Sequence, residues 1–225
     1  MKKPEGLKLT EGFKISKNTS VIPSYTKDLH KAASVLRRGG IVIFPTDTVY
    51  GIGCRFDNKD AISRLYQIKG TSKDQPFPIL VSDVNQVKKL AEVNNLAQNL
   101  IDKYWPGALT IILPGLSTYP KPGLEQLYKP GLNALNAEKI GFRMPNSKLV
   151  LDLINKVGVP IIGTSANFHG QKPPKSFAEL DPKIIKLADF TIKGRCQKGI
   201  ESTVVDATID PPKILRQGVL RIRSV

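Results

Sequence analysis

Four short polar segments stand at the predicted ends of strands and carry groups that bind anions. They are Thr46–Tyr50, Gly163–Asn167, Gly199–Thr203 and Arg216–Gly218. Hydroxyls and exposed backbone N–H groups bind phosphates and carboxylates, and an arginine holds either anion through paired hydrogen bonds. Ligands of open α/β sheets bind beyond the carboxyl ends of strands, so we expect these segments to surround one pocket for an anionic substrate.

Basic side chains lie between these segments, at Lys69, Lys73, Lys139 and Arg143. The whole chain has 34 Lys and Arg residues against 19 Asp and Glu, a net charge of +15. This excess of positive charge favours the binding of polyanions or phosphorylated ligands. The charges form no long block, so a merely solvated basic surface explains them equally well.

A buried strand at residues 41–44 must position the first polar segment, because four apolar residues run from Gly40 to Pro45. Helical spacing of apolar residues predicts a helix before it, and a second helix begins at Asp57 or Asn58 and ends at Gly70. Further apolar runs predict strands at residues 79–81, 109–113, 140–143, 160–163, 190–192, 203–205 and 214–215. Helices alternate with strands, which indicates the α/β class.

The 225 residues are enough for one domain with a proper core. We expect an N-terminal extension at 1–24, either an edge strand or mobile, and a single domain at 25–225. Residues 114–138, rich in Pro and Gly, form a loop or a small hairpin. No secretory signal or membrane span is expected, which predicts a cytoplasmic protein. The two cysteines suggest neither a disulfide framework nor a zinc site.

Seven sequence blocks, in order, resemble the YrdC-like family of threonylcarbamoyl-AMP synthases. They are PTDTVYGIG, a KG loop followed by PFPILV, YWPGALTIIL, GFRMP, GTSANFHG, ESTVVD and ILRQG. The resemblance covers roughly residues 25–220. It implies an open twisted mixed β-sheet, flanked by helices around a concave basic cavity, in the short single-domain form of the family.

The resemblance also implies a reaction. L-threonine, bicarbonate or CO2, and ATP give L-threonylcarbamoyl-adenylate and pyrophosphate, the first step towards N6-threonylcarbamoyladenosine in tRNA. A divalent cation such as Mg²⁺ would accompany the ATP, without a prosthetic group. The expected partners are these substrates, the downstream tRNA threonylcarbamoyltransferase complex and tRNA itself, with no membrane.

Individual roles follow from the matching motif positions. The resemblance assigns threonine binding to Thr48, Arg143 (the carboxylate anchor), Gly163 (a backbone contact) and Ser202. It assigns ATP binding to Lys69, Thr71, Gln75, Lys139, Ser165, Asn167, Pro174 and Arg216. Lys69 and Lys73 are the expected catalytic cations. The metal ligands stay unassigned.

The chain departs from the family pattern in its Lys-x-Arg motif. The arginine position is Thr71, which removes a cation from the phosphate region, and Lys73 is the nearest replacement in the same loop. Other departures fall at Gln75, His169 and Pro174. They leave open a re-tuned active site, a weakened enzyme or a paralogue with changed chemistry.

Two other function classes compete with the synthase. A non-catalytic module that binds tRNA or double-stranded RNA would use the same basic cavity, although few aromatic residues are available for base stacking. A carbamoyl-adenylate-forming relative with another carbamoyl donor is the third reading, but such domains belong to larger chains. The reaction needs positioning and positive charge rather than a nucleophilic side chain, and His30 and His169 are more simply read as structural or solvated.

Overall fold

The computed structural model describes residues 24–72, 75–116 and 139–222. Three sequence-based expectations therefore lie wholly or mainly outside the described residues: the N-terminal extension, Lys73, and the Pro- and Gly-rich segment at 114–138.

Nine strands of the described residues form one mixed sheet. In chain order they are β1 (Val42–Pro45), β2 (Tyr50–Arg55), β3 (Ile79–Leu80), β4 (Leu109–Pro114), β5 (Lys139–Arg143), β6 (Ile161–Ser165), β7 (Phe190–Thr191), β8 (Thr203–Asp206) and β9 (Lys213–Arg216). Their spatial order is β7-β1-β2-β6-β3-β5-β4-β8-β9. The sheet is open, with parallel and antiparallel neighbours, and the predicted fold class is confirmed.

Helices cover this sheet. In the described residues they are α1 (Ser24–Arg37), α2 (Lys59–Lys69), α3 (Val84–Lys88), α4 (Asn95–Tyr104), α5 (Lys148–Val157) and α6 (Pro182–Leu187), with a 3-10 turn at Phe177–Glu179. The start and end predicted for α2 are confirmed. The Asn58 side chain accepts a hydrogen bond from the backbone of Ala61, and Gly70 closes the helix with a left-handed φ of 61°.

Strand β1 is buried on both faces, as its apolar run predicts. Val42 and Phe44 pack in a cluster with α1 and α5, whereas Ile43 packs in the larger cluster that contains α2 and α4. Successive side chains of a strand point to opposite faces of the sheet, so the sheet lies between two layers of helices.

Strand β2 follows β1 as an antiparallel neighbour, with Pro45 opposite Tyr50. The sequence of this stretch predicts a polar turn and not a strand. Gly51 and Gly53 argue against a strand in the sequence, because glycine is unfavourable in strands. Each glycine nevertheless allows a neighbouring group to come close, the Phe44 ring at Gly51 and the Ile162 backbone at Gly53. A Cβ on Gly53 would lie 2.2 Å from the carbonyl oxygen of Ile162 in the neighbouring β6.

Strand directions correct the expected position of the pocket. Strand β3 is antiparallel to β6 and parallel to β5, so the carboxyl ends of β5 and β6 lie at opposite ends of the sheet. Arg143 at the end of β5 nevertheless contacts Thr48. Residues within strands, among them Thr110 and Gly163, line the smaller cavity, so the site lies over a sheet face rather than beyond the strand ends. The Gly199–Thr203 segment, moreover, leads into β8 instead of ending a strand.

Candidate functional site

Two adjoining cavities open over the sheet. The smaller has a volume of about 110 Å³ and the larger about 410 Å³. They share a wall made of Pro78, Thr110, Thr164, Ser165, Glu201 and Arg216. A ligand with two chemically different parts can occupy both spaces at once.

Arg143 lies in the wall of the smaller cavity and uses all three of its nitrogen atoms for contacts within the protein. Its Nη2 donates to Asp47 Oδ1 at 2.6 Å, and Nη1 donates to Thr48 Oγ1 at 2.9 Å. Its Nε donates to the carbonyl oxygen of Gly107 at 3.1 Å. An arginine has five N–H donors, and these three hydrogen bonds use three of them. One N–H on each Nη is therefore left over for a further acceptor.

The Arg143–Asp47 pair is almost entirely buried, with side-chain exposures of 9% and 0%. Burial lowers the pKa of Arg143, and the neighbouring Asp47 carboxylate opposes that shift. Asp47 Oδ2 is buried without a hydrogen-bond partner among the described residues. The pair therefore holds a fixed guanidinium at the cavity wall, at the cost of an unsatisfied carboxylate oxygen behind it.

Thr48 is fixed by a local hydroxyl network. Its Oγ1 lies 3.0 Å from Thr46 Oγ1, and its backbone nitrogen donates to the same Thr46 oxygen at 3.0 Å. The Thr46 hydroxyl in turn donates to the carbonyl oxygen of Val49 at 2.7 Å. These short-range bonds shape the 46–49 segment and hold Thr48 against Arg143.

Gly163 forms part of the floor of the smaller cavity. A Cβ at this position would lie 2.5 Å from Leu80 Cδ1, so only glycine fits without displacement. Its N–H already donates to the carbonyl oxygen of Pro78 at 3.1 Å. Gly163 thus provides space to the cavity rather than a free N–H group.

Ser202 and Arg216 form the opposite wall. Ser202 Oγ lies 2.9 Å from Thr110 Oγ1 and accepts from Arg216 Nη2 at 3.2 Å. Arg216 also donates through Nη1 to Glu201 Oε1 at 3.1 Å and through Nε to the Ser202 carbonyl oxygen at 3.1 Å. The predicted threonine-binding residue Ser202 and the predicted ATP-binding residue Arg216 are therefore in direct contact.

Lys69 lines the larger cavity but is only 5% exposed. Its ammonium donates to the Ser165 carbonyl oxygen at 2.6 Å and to both the carbonyl and the side-chain oxygen of Asn167. Burial lowers the pKa of Lys69 to about 8, and Glu201 acts in the opposite direction. The Lys69 ammonium therefore stabilises the turn after β6. The same ammonium is the one predicted from the sequence to be catalytic.

The remaining predicted ATP-binding residues are mostly gathered at the larger cavity. Thr71 Oγ1 lies 3.2 Å from Gln75 Oε1 and 3.5 Å from His169 Nδ1. Lys139 pairs with Asp206 at 2.7 Å. Burial would raise the pKa of Asp206, but hydrogen bonds from Lys139 and Thr208 outweigh it and leave that pKa lowered.

Pro174 does not line either cavity. Its carbonyl oxygen accepts a hydrogen bond from the Tyr50 backbone at 2.9 Å, which ties the loop after β6 to the start of β2. Asn167 lines the larger cavity, although its side-chain nitrogen is engaged by the carbonyl oxygens of Phe168 and Gln171.

Sequence reasoning missed four residues of the site: Asp47, Thr110, His169 and Glu201. Asp47 and Glu201 each adjoin an assigned residue within a quoted block, and that adjacency was the available signal. Glu201 supplies the only carboxylate among the described residues that line either cavity.

The described part of the chain contains no group of three or more His, Cys, Asp or Glu residues placed to hold a metal ion. Within the same described ranges, no helix is both long and apolar enough to cross a membrane.

Comparison with known proteins gives consistent matches. The Sua5/YciO/YrdC family model, described as "Telomere recombination", matches residues 34–218. A threonylcarbamoyl-AMP synthase of Bacillus subtilis is 36% identical over 206 residues, covering 89% of this chain and 56% of that protein. A putative threonylcarbamoyl-AMP synthase of Methanocaldococcus jannaschii is 35% identical, covering 83% of this chain and 84% of its own length.

A solved structure matches as well. The crystal structure of Pyrococcus abyssi Sua5 complexed with L-threonine is 32% identical and superimposes with a TM-score of 0.73. The match covers 85% of this chain and 54% of that one. This chain thus spans about half the length of that protein and of the Bacillus relative.

Proposed function

This chain belongs to the Sua5/YciO/YrdC family, and from that premise we propose that it is an L-threonylcarbamoyladenylate synthase. It would convert L-threonine, bicarbonate and ATP into L-threonylcarbamoyl-adenylate, pyrophosphate and water; with CO2 in place of bicarbonate, no water is released. In reaction terms it would be a nucleotidyltransferase, because the adenylyl group of ATP moves to the threonylcarbamoyl group.

The observation that carries this proposal is the pair of cavities joined through one shared wall. The smaller cavity holds the fixed Arg143 guanidinium next to the Thr48 hydroxyl, a suitable place for an amino-acid carboxylate. The larger cavity carries Lys139 and Arg216, which suit a triphosphate. An enzyme that joins an amino acid to a nucleotide needs both sites in contact.

The described residues supply positioning and positive charge for this chemistry. The threonine ammonium first loses a proton to solvent, and the resulting amine nitrogen forms a bond to the carbon of CO2 and releases a second proton. An oxygen of this carbamate then attacks the α-phosphorus while pyrophosphate leaves. Arg216, at the shared wall, is placed to neutralise charge that develops on the phosphate oxygens. Binding both partners in adjoining cavities converts this step into an intramolecular one.

A divalent cation would supply charge neutralisation to the ATP phosphates. Mg²⁺ is usually held by one or two carboxylates together with substrate phosphates and water. The described lining residues offer a single carboxylate, so the ATP phosphates and water would hold this cation. The cation would then enter with ATP instead of residing in a protein-built cage.

The product would be consumed by a transferase that modifies tRNA in the cytoplasm. The net charge of +15 is compatible with contact with tRNA during this transfer. RNA binding and the assembly with the downstream complex belong to this proposal together with the reaction.

Pyrophosphate release tests the proposal. The full chain is incubated with ATP, Mg²⁺ and bicarbonate, with and without L-threonine, and D-threonine serves as a stereochemical control. The synthase predicts release only with L-threonine. No threonine-dependent release, together with salt-sensitive binding of tRNA, would instead favour the non-catalytic RNA-binding module.

A further inference from the structure

Glu201 is one of the site residues to which no role in substrate binding has been assigned. We propose that its carboxylate binds the α-ammonium group of the amino-acid substrate at the junction of the two cavities. This inference rests on the proposed function and specifies how the substrate is oriented within that site.

The first argument is charge complementarity. A free amino acid is a zwitterion, so a site that recognises both ends needs one cation and one anion. Arg143 and Arg216 provide cations in the smaller cavity, but among the described lining residues only Glu201 provides an anion. A buried ammonium without such a partner would be costly.

The nearby Asp47 carboxylate is not an alternative. Asp47 is 1% exposed, does not line either cavity, and is committed to Arg143 at 2.6 Å. The Glu201 side chain, by contrast, is 36% exposed. Arg216 donates one hydrogen bond to Glu201 Oε1, and a carboxylate accepts several, so capacity remains for a substrate N–H group.

The second argument is the position of Glu201. It belongs to the wall shared by both cavities, whereas Arg143 lines only the smaller one. A substrate with its carboxylate at Arg143 and its ammonium at Glu201 points its nitrogen from the smaller cavity towards the larger. The nitrogen must face that way, because it becomes the carbamate that meets the nucleotide.

Binding measurements with the full chain test this assignment. Isothermal titration calorimetry compares L-threonine with the hydroxy acid in which a hydroxyl group replaces the α-ammonium. The wild type should prefer L-threonine by at least about tenfold, the scale of a charge-assisted hydrogen bond. In Glu201→Gln, which keeps the shape but removes the charge, the preference should fall to within about threefold.

Two further variants sharpen the comparison. Glu201→Asp keeps a carboxylate and should retain most of the preference for L-threonine. Glu92→Gln removes a negative charge from an exposed residue that lines neither cavity, and should behave as the wild type.

An unchanged preference in Glu201→Gln would overturn the inference and place the ammonium elsewhere, while threonine-dependent pyrophosphate release would still stand. A change confined to the Mg²⁺ dependence of ATP binding would overturn it too, and would assign Glu201 to the cation. A wild type that binds neither ligand and releases no pyrophosphate would overturn the inference and the proposed function together.

Discussion

Arg143 and Asp47 form a 2.6 Å ion pair in which neither side chain is more than 9% exposed. The two residues lie 96 positions apart, and the pair links the end of β5 to the segment that follows β1. Because Asp47 fixes the guanidinium from behind, Arg143 reaches the cavity in a single orientation. The geometry of the proposed carboxylate site therefore depends on this pair.

Replacing Arg143 with lysine should raise the KM for L-threonine by at least about tenfold, with a smaller effect on the KM for ATP. A lysine ammonium keeps the charge but cannot serve Asp47, Thr48 and a substrate carboxylate with one planar fork. Steady-state pyrophosphate release measures the change. Arg38→Lys is the matched control, since Arg38 is exposed, lines neither cavity and donates a hydrogen bond to Ser34 in α1. An unchanged threonine KM in Arg143→Lys would refute the anchor role.

Substitutions of Lys139 and Arg216 should affect the KM values for ATP and L-threonine differently. Lys139 lines only the larger cavity, so Lys139→Gln should raise the KM for ATP roughly threefold to tenfold and leave that for L-threonine unchanged. Arg216 lines both, so Arg216→Gln should raise both KM values. Steady-state pyrophosphate release measures both KM values in each variant. If both variants changed the KM values for ATP and L-threonine in the same way, the assignment of separate cavities to the two substrates would be contradicted.

Lys69 should make stability depend on pH in the alkaline range. Its pKa is about 8 in the folded protein and 10.5 for an ordinary lysine. Between these values the unfolded chain binds more protons, so the contribution of Lys69 to the free energy of unfolding increases with pH, by at most about 1.4 kcal/mol per pH unit.

Urea denaturation of the wild type and Lys69→Met at several pH values measures this contribution. The wild-type free energy of unfolding minus that of the variant should rise from pH 8 towards pH 10.5 and be flat below pH 8. Lys89→Met, which removes an exposed lysine, is the matched control. A flat difference for Lys69→Met across the whole range would contradict the lowered pKa.

Gly163→Ala should destabilise the protein by about 1–3 kcal/mol, because the new Cβ collides with Leu80 in the core. Gly141→Ala is a matched control in strand β5 of the same sheet, where the nearest atom to a new Cβ is 3.5 Å away. Chemical denaturation measures both. If the two variants lose equal stability, the close packing at Gly163 is not what requires glycine there.

Local signals explain which parts of the fold the sequence predicts. The start of α2 at Asn58 and its end at Gly70 were predictable because caps depend on neighbouring residues. Strand β2 was not, since the reason for Gly53 is the carbonyl oxygen of Ile162, more than a hundred positions away in the chain. Tertiary contact here overrides local strand preference.

The site shows the same division. Family resemblance proposes both Thr48 and Arg143, and the structure brings them into contact at 2.9 Å. The family resemblance does not indicate that Asp47, next to Thr48, is the buried counter-ion of Arg143, because burial is a property of the packed fold. The motif also does not indicate that the Lys69 ammonium donates a hydrogen bond to the carbonyl oxygen of Ser165.

The identity of the reaction product decides whether this chain is a threonylcarbamoyl-adenylate synthase. The full chain is incubated with ATP, Mg²⁺, L-threonine and isotopically labelled bicarbonate, and the products are analysed by mass spectrometry. We expect threonylcarbamoyl-adenylate that carries the labelled carbon, formed together with pyrophosphate. Pyrophosphate formation without a labelled adenylate, or no consumption of ATP at all, would contradict it.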